Sequence, residues 1–116
     1  EWVTKSTHVS TEHLVGHDSG DVLTVGGIEI SLVHTPGHTP GSQCFFVDDR
    51  LIAGDTLFLE GCGRADLPGS DPVKMFESLR RLAEVPDSTI LFPGHRYSIA
   101  SSATMDVVKQ TNFVFQ

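Results

Sequence analysis

The chain has 116 residues, 39% of them hydrophobic and 20% charged, with a net charge of -7 and an isoelectric point near 5.1. That length fits one domain with a small core, and so acidic a chain lacks the basic patch that would hold a phosphate backbone, so no nucleic-acid partner is expected. No stretch is long and apolar enough to span a membrane, so no membrane partner is expected either, and the two cysteines, Cys44 and Cys62, match neither a disulfide framework nor a zinc-ribbon spacing, which points to a reducing, cytoplasmic compartment.

Residues 1–20 are polar, without a period, and read as a lead-in, with the folded part spanning 21–116. The opening Glu1-Trp2-Val3-Thr4-Lys5 has neither a signal pattern nor an initiator Met, which hints that the chain begins at a cut, at an imposed boundary or from an incomplete reading. Val22–Val25 and Ile28–Val33 then flank Gly26-Gly27, the pattern of two strands joined by a tight hairpin. In the second strand Ile28, Ile30 and Leu32 alternate with Glu29 and Ser31, as in a half-buried strand. His34 to Gly41, HTPGHTPG, is a shaped loop, since two Pro-Gly pairs forbid a regular element. His34 is expected to hydrogen-bond within that loop. Cys44–Val47 and Leu51–Ala53 are continuously apolar, as expected of strands buried on both faces with a layer on each side. Cys44 reads as a small core residue.

Residues 60–70 form a loop. Asp71 as N-cap and Pro72 at the first helical position open a helix whose stripe is Val73, Phe76, Leu79 and Ala83, with Met75 and Leu82 beside it, and Pro86 stops it. Thr89–Phe92 is a short buried strand ended by Pro93-Gly94. Ser102 is positioned to cap a last helix reaching about Lys109, and Phe113 and Phe115 look like packing residues.

His38, Asp55 and His95 each sit just past a strand. Strand ends at one edge of a layered α/β sheet bring loops into a common crevice, and imidazole nitrogen with carboxylate oxygen suits zinc, iron or manganese. The spacings are too wide to form a metal motif by themselves. His8, His13, His17 and His34 show no ligand pattern.

HTPGHTPGS, then AGDTLF followed by GCGR, then FPGHRYS, in that order from about Gly20 onward, resembles the C-terminal half of the metallo-β-lactamase superfamily, in its glyoxalase II and persulfide dioxygenase branch. The resemblance implies an α/β fold, half of an αββα sandwich with a mixed β-sheet flanked by helices. It makes His38 a metal-ligand histidine, Asp55 the catalytic carboxylate that bridges two metals or binds a single iron, and His95 a ligand of the second metal. It places Gly61-Cys62-Gly63-Arg64 beside a substrate pocket, with Arg64 as a substrate-binding residue, while the residue read by itself fits a surface salt bridge equally well. The implied activity is metal-dependent hydrolysis of a small thioester or ester with metal-activated water and two zinc ions. An iron-dependent persulfide dioxygenase is the alternative. The family's HxHxDH string is missing here, and Ala65-Asp66 follow Arg64 where glyoxalase II proper has aromatic residues. The implied parent is therefore an enzyme, while this chain alone is expected to be an inactive fragment that holds metal weakly. Its sheet is expected to expose an apolar face that met the absent half, so the chain is expected to self-associate as a homo-oligomer or to pair with a separate N-terminal piece.

Overall fold

The computed structural model describes residues 15–116, so His8 and His13 lie outside the described residues. Six strands follow one another in a single sheet: β1 (Val22–Val25), β2 (Ile28–His34), β3 (Gln43–Val47), β4 (Arg50–Gly54), β5 (Ile90–Pro93) and β6 (Ala103–Thr104). Between β4 and β5 lies helix α1 (Pro72–Leu82), and after β6 come α2 (Met105–Thr111) and a 3₁₀ turn (Phe113–Phe115). All neighbouring pairs are antiparallel except β4 with β5, which are parallel and connected through α1. This is the mixed sheet expected, a partial metallo-β-lactamase-type α/β fold. The Gly26-Gly27 hairpin forms with Val25 opposite Ile28, although only Gly26 takes a positive φ, of 62°.

The core lies on one face of the sheet. Cys44, Leu51, Ala53 and Leu91 meet Met75, Leu79 and Leu82 of α1 and Met105 and Val108 of α2. Asp71 caps α1 by accepting from the Val73 and Lys74 amides at 2.9 and 3.1 Å. The buried stripe of α1 differs from the one expected. Met75, Ser78, Leu79 and Leu82 are inside, while Val73 and Phe76 are 66% and 60% exposed. Both stripes obey helical spacing, and the packing partners selected the one that contains Ser78.

Two further expectations are corrected. Ser102 does not cap α2; Thr104 occupies the N-cap without a side-chain bond, because residues 103–104 are spent as strand β6 against β5. Phe113 is 73% exposed, whereas Phe115 packs on the core.

Strands β3 and β4 are not buried on both faces within the described residues. Residues opposite one another in register share a face, and Leu32, Phe45, Ile52 and Phe92 form such a row across β2 to β5, away from the helices. Ile52 and Phe92 are 40% and 37% exposed.

Candidate metal centre

Strands β2, β4 and β5 run in the same direction, since β3 reverses the chain between β2 and β4 and β5 is parallel to β4. Their carboxyl ends share one edge of the sheet, and the residues that leave those ends carry His38, Asp55 and His95. A register shift between Ile52 and Gly54 turns β4 just before Asp55, the usual way an irregular strand end re-aims a side chain.

The structure brings the three residues together in a chain with Asp55 in the middle. His95 Nδ1–H donates to Asp55 Oδ1 at 2.6 Å, and His38 Nε2 lies 3.5 Å from Asp55 Oδ2. His38 Nδ1 lies 2.7 Å from the carbonyl oxygen of Arg64. A carbonyl only accepts, so Nδ1 carries the hydrogen, and in the neutral ring the lone pair is on Nε2, facing Asp55.

Helix α1 holds the His38 loop from beneath. The Asp71 amide donates to Gly37 O at 2.8 Å, and Ser70 Oγ donates to His38 O at 2.7 Å. Ser78 Oγ donates to Pro36 O at 2.8 Å, and Arg81 Nη2 to His34 O at 2.7 Å. Under the site the buried Thr35 and Thr56 hydroxyls bond at 3.0 Å, tying the His38 loop to the residue after Asp55. His34 bonds inside its loop, its Nε2 lying 2.7 Å from Pro40 O.

Close approach explains two glycines. A Cβ at Gly63 would overlap the Asp55 carbonyl oxygen and press on the His38 ring, and one at Gly94 would sit 2.8 Å from Asp55 Oδ1. Phe58 meets His95 and Tyr97 edge-on at centroid distances of 5.9 and 5.1 Å, and Tyr97 stacks on His95 at 5.3 Å. The cleft above has a volume of about 360 Å³ and is lined by His38, Asp55, Phe58, Cys62, Arg64 and His95, among others. Burial pushes the Cys62 thiol above its ordinary range, so at neutral pH it stays protonated and is a poor nucleophile.

Arg64 contributes through both its side chain and its main chain. Its guanidinium forms a two-pronged pair with Asp66 at 3.0 Å on each arm, while its backbone carbonyl orients His38. Sequence reading missed Ser70, Ser78, Arg81, Phe58 and Tyr97. A serine on a helix reads as polar surface, and a bond 42 residues away along the chain, as Ser78 makes, leaves no local mark.

Among the described residues no three His, Cys, Asp or Glu side chains are grouped so as to hold a metal ion by themselves. The donor chemistry nevertheless fits one ion between His38 and Asp55. Nitrogen and oxygen on one tetrahedral zinc, each about 2.0–2.2 Å from it, lie roughly 3.3–3.5 Å apart, and His38 Nε2 and Asp55 Oδ2 are 3.5 Å apart. The His95–Asp55 contact of 2.6 Å is a direct hydrogen bond that leaves no space for an ion between the bonded atoms.

A layered α/β domain with imidazole and carboxylate donors at one sheet edge is a frame on which a metal ion can be seated. The model of the Metallo-beta-lactamase superfamily matches residues 4–95, and the chain belongs to that superfamily, in its glyoxalase II/persulfide dioxygenase-like branch. It is 35% identical over 105 residues to a probable polyketide biosynthesis zinc-dependent hydrolase, BaeB, of Bacillus velezensis, covering 90% of this chain and 47% of that protein. To the hydroxyacylglutathione hydrolase of Xanthomonas campestris pv. campestris it is 40% identical over 107 residues, covering 92% of this chain and 40% of the relative. The solved structure of ETHE1 from Myxococcus xanthus superposes with a TM-score of 0.81 at 33% identity, over 85% of this chain and 44% of that one. The chain thus spans less than half the length of each of these three proteins.

Proposed function

We propose that this chain forms part of a metal-dependent hydrolase of the glyoxalase II-like branch that cleaves a small thioester or ester. The observation that carries the reading is the His38–Asp55 pair, with the Nε2 lone pair of His38 fixed toward the carboxylate by the Nδ1–H bond to Arg64 O. The zinc-dependent hydrolase and hydroxyacylglutathione hydrolase relatives support it. His38 and Asp55 would hold one ion, with zinc expected, and His95, whose Nδ1 is bonded to Asp55, would reach a second ion through its Nε2. A bound ion there would polarise a substrate carbonyl and lower the pKa of a water toward about 7.

The protein's own contributions are orientation and enclosure. Arg64 O and the His38 loop fix one imidazole, and Phe58 and Tyr97 pack around the other. The mixed polar and apolar walls of the cleft suit an acyl thioester more than a highly charged phosphate.

A second reading, an iron-dependent persulfide dioxygenase, is supported by the Arg64-Ala65-Asp66 pattern, which resembles the dioxygenases and less specialised hydrolases of the branch, and by the likeness to ETHE1. Metal analysis and turnover of the intact protein separate the two. Zinc with hydrolysis of hydroxyacylglutathione thioesters, abolished in Asp55→Ala, supports the first reading. Stoichiometric iron with oxygen uptake on a persulfide supports the second. An intact protein that retains no metal and hydrolyses no thioester would refute the proposal.

A further inference from the structure

Asn112 follows helix α2, far from the cleft in sequence, and is 1% exposed. A buried amide has four hydrogen bonds to satisfy, and Asn112 makes four. Its Oδ1 accepts from the Gly61 and Val114 amides at 2.9 and 3.1 Å. Its Nδ2 donates to Phe58 O and Gly61 O at 2.9 and 3.0 Å. Capping the 3₁₀ turn accounts for the bond to Val114 alone. The other three clamp the turn Phe58–Gly61, which also closes on itself through Phe58 N–H to Gly61 O at 3.1 Å.

That turn is the near end of the loop that reaches both histidines. The Phe58 ring packs against His95, and three residues past Gly61 the Arg64 carbonyl accepts from His38 Nδ1. Between them, Leu57 and Cys62 bridge across the loop, so a shift of the turn is carried along it.

We propose that Asn112 is a positioning residue of the site, fixing the ring orientation of His38 and His95 through the Phe58–Arg64 loop. It touches neither ring, and it acts by holding the loop whose Arg64 carbonyl meets His38 and whose Phe58 side chain meets His95. The proposal rests on the metal-centre reading above. Groups that orient ligating histidines typically change metal affinity by about 10–100-fold when removed, so Asn112→Ala is expected to weaken zinc binding about tenfold.

The test reads the imidazoles directly. In the metal-free, 15N-labelled protein at pH 8, long-range 1H–15N spectra are expected to show His38 as a fixed Nδ1–H tautomer, with a Phe58–His95 ring contact. In Asn112→Ala the His38 nitrogens are expected to move toward the averaged values of a free ring and the ring contact to fade, with amide dispersion retained. Asn112→Asp keeps the two acceptor positions but sets a carboxylate against the Phe58 and Gly61 carbonyl oxygens in place of two donors, so its spectra should depart from the native ones at least as far. Unchanged His38 and Phe58–His95 signals in a folded Asn112→Ala would overturn the proposal. Loss of folding in both variants would also overturn it, since Asn112 would then serve the fold and not the site. If the native protein binds no zinc while His38 still responds to Asn112→Ala, the positioning stands and the metal-centre reading fails.

Discussion

Histidine is a useful ligand only when one ring nitrogen is held and the other is free. In His38 the hold comes from the Arg64 carbonyl, a main-chain group whose identity no side chain advertises. The loop passes so close to Asp55 that only glycine fits at position 63. Gly63→Ala is expected to destabilise the protein by on the order of 3 kcal/mol, read from the urea midpoint, because overlap with backbone cannot be relieved by a rotamer. The exposed Arg64–Asp66 fork has a different consequence. The hydrogen bond from Arg64, more than its charge, holds the Asp66 carboxyl below the ordinary carboxylate range. A depressed folded-state pKa means that the pair contributes above the unfolded pKa and is lost as pH falls through the folded one. Carboxyl-carbon NMR should therefore place the Asp66 midpoint below that of a free aspartate, with Arg64→Gln raising it; a midpoint unmoved by that change would show the pair to be absent in solution.

At the scale of elements, α1 does two jobs with one set of residues. Its apolar positions close the core, and Ser78 and Arg81 on the same helix bond the backbone of the His38 loop. The Asp71 cap is the separable part. Asp71→Ala is expected to cost about 1 kcal/mol in stability, since it leaves the Val73 and Lys74 amides without their carboxylate. A loss below a few tenths of a kcal/mol in thermal unfolding would mean that water replaces the cap at no cost. Strand β6 shows the opposite lesson. Two residues form a strand only because β5 offers an edge, and the shift this imposes moves the start of α2 away from Ser102.

For the whole molecule, the row Leu32, Phe45, Ile52 and Phe92 is buried at its Leu32 end and open at Ile52 and Phe92, which are 40% and 37% exposed. An isolated 116-residue chain is accordingly expected to bind a hydrophobic dye and to sediment above monomer mass as concentration rises, because open apolar faces associate. A compact monomer silent to the dye would show that the face is covered from within. The same chain is expected to hold zinc weakly. His38 and Asp55 offer two donors to one ion, below the three protein ligands of catalytic zinc sites. Stoichiometric zinc released only by strong chelators would contradict this and would require donors from His8, His13 or a second copy.

The sequence by itself determined strands β1 to β5, the helix between β4 and β5 with its Asp71 cap, and the order of His38, Asp55 and His95, because alternation, capping and Pro-Gly turns act over a few residues; strand β6 it did not show, and the mixed sheet followed from the resemblance alone. The superfamily was legible for the same reason, through short motifs in a fixed order. What it left open depends on which surfaces meet. Val73 and Phe76 satisfy helical spacing with Leu79 as well as Met75 and Leu82 do, and only contact with the sheet chose between them. The continuous apolar runs of β3 and β4 are compatible with one covered face or two. The groups that aim the ligands, Arg64 O on His38 and Phe58 on His95, come from a loop that folds back across the cleft. Bonds of that kind are decided by tertiary structure, since main-chain carbonyls are alike in every sequence until the fold sets one against a ring nitrogen.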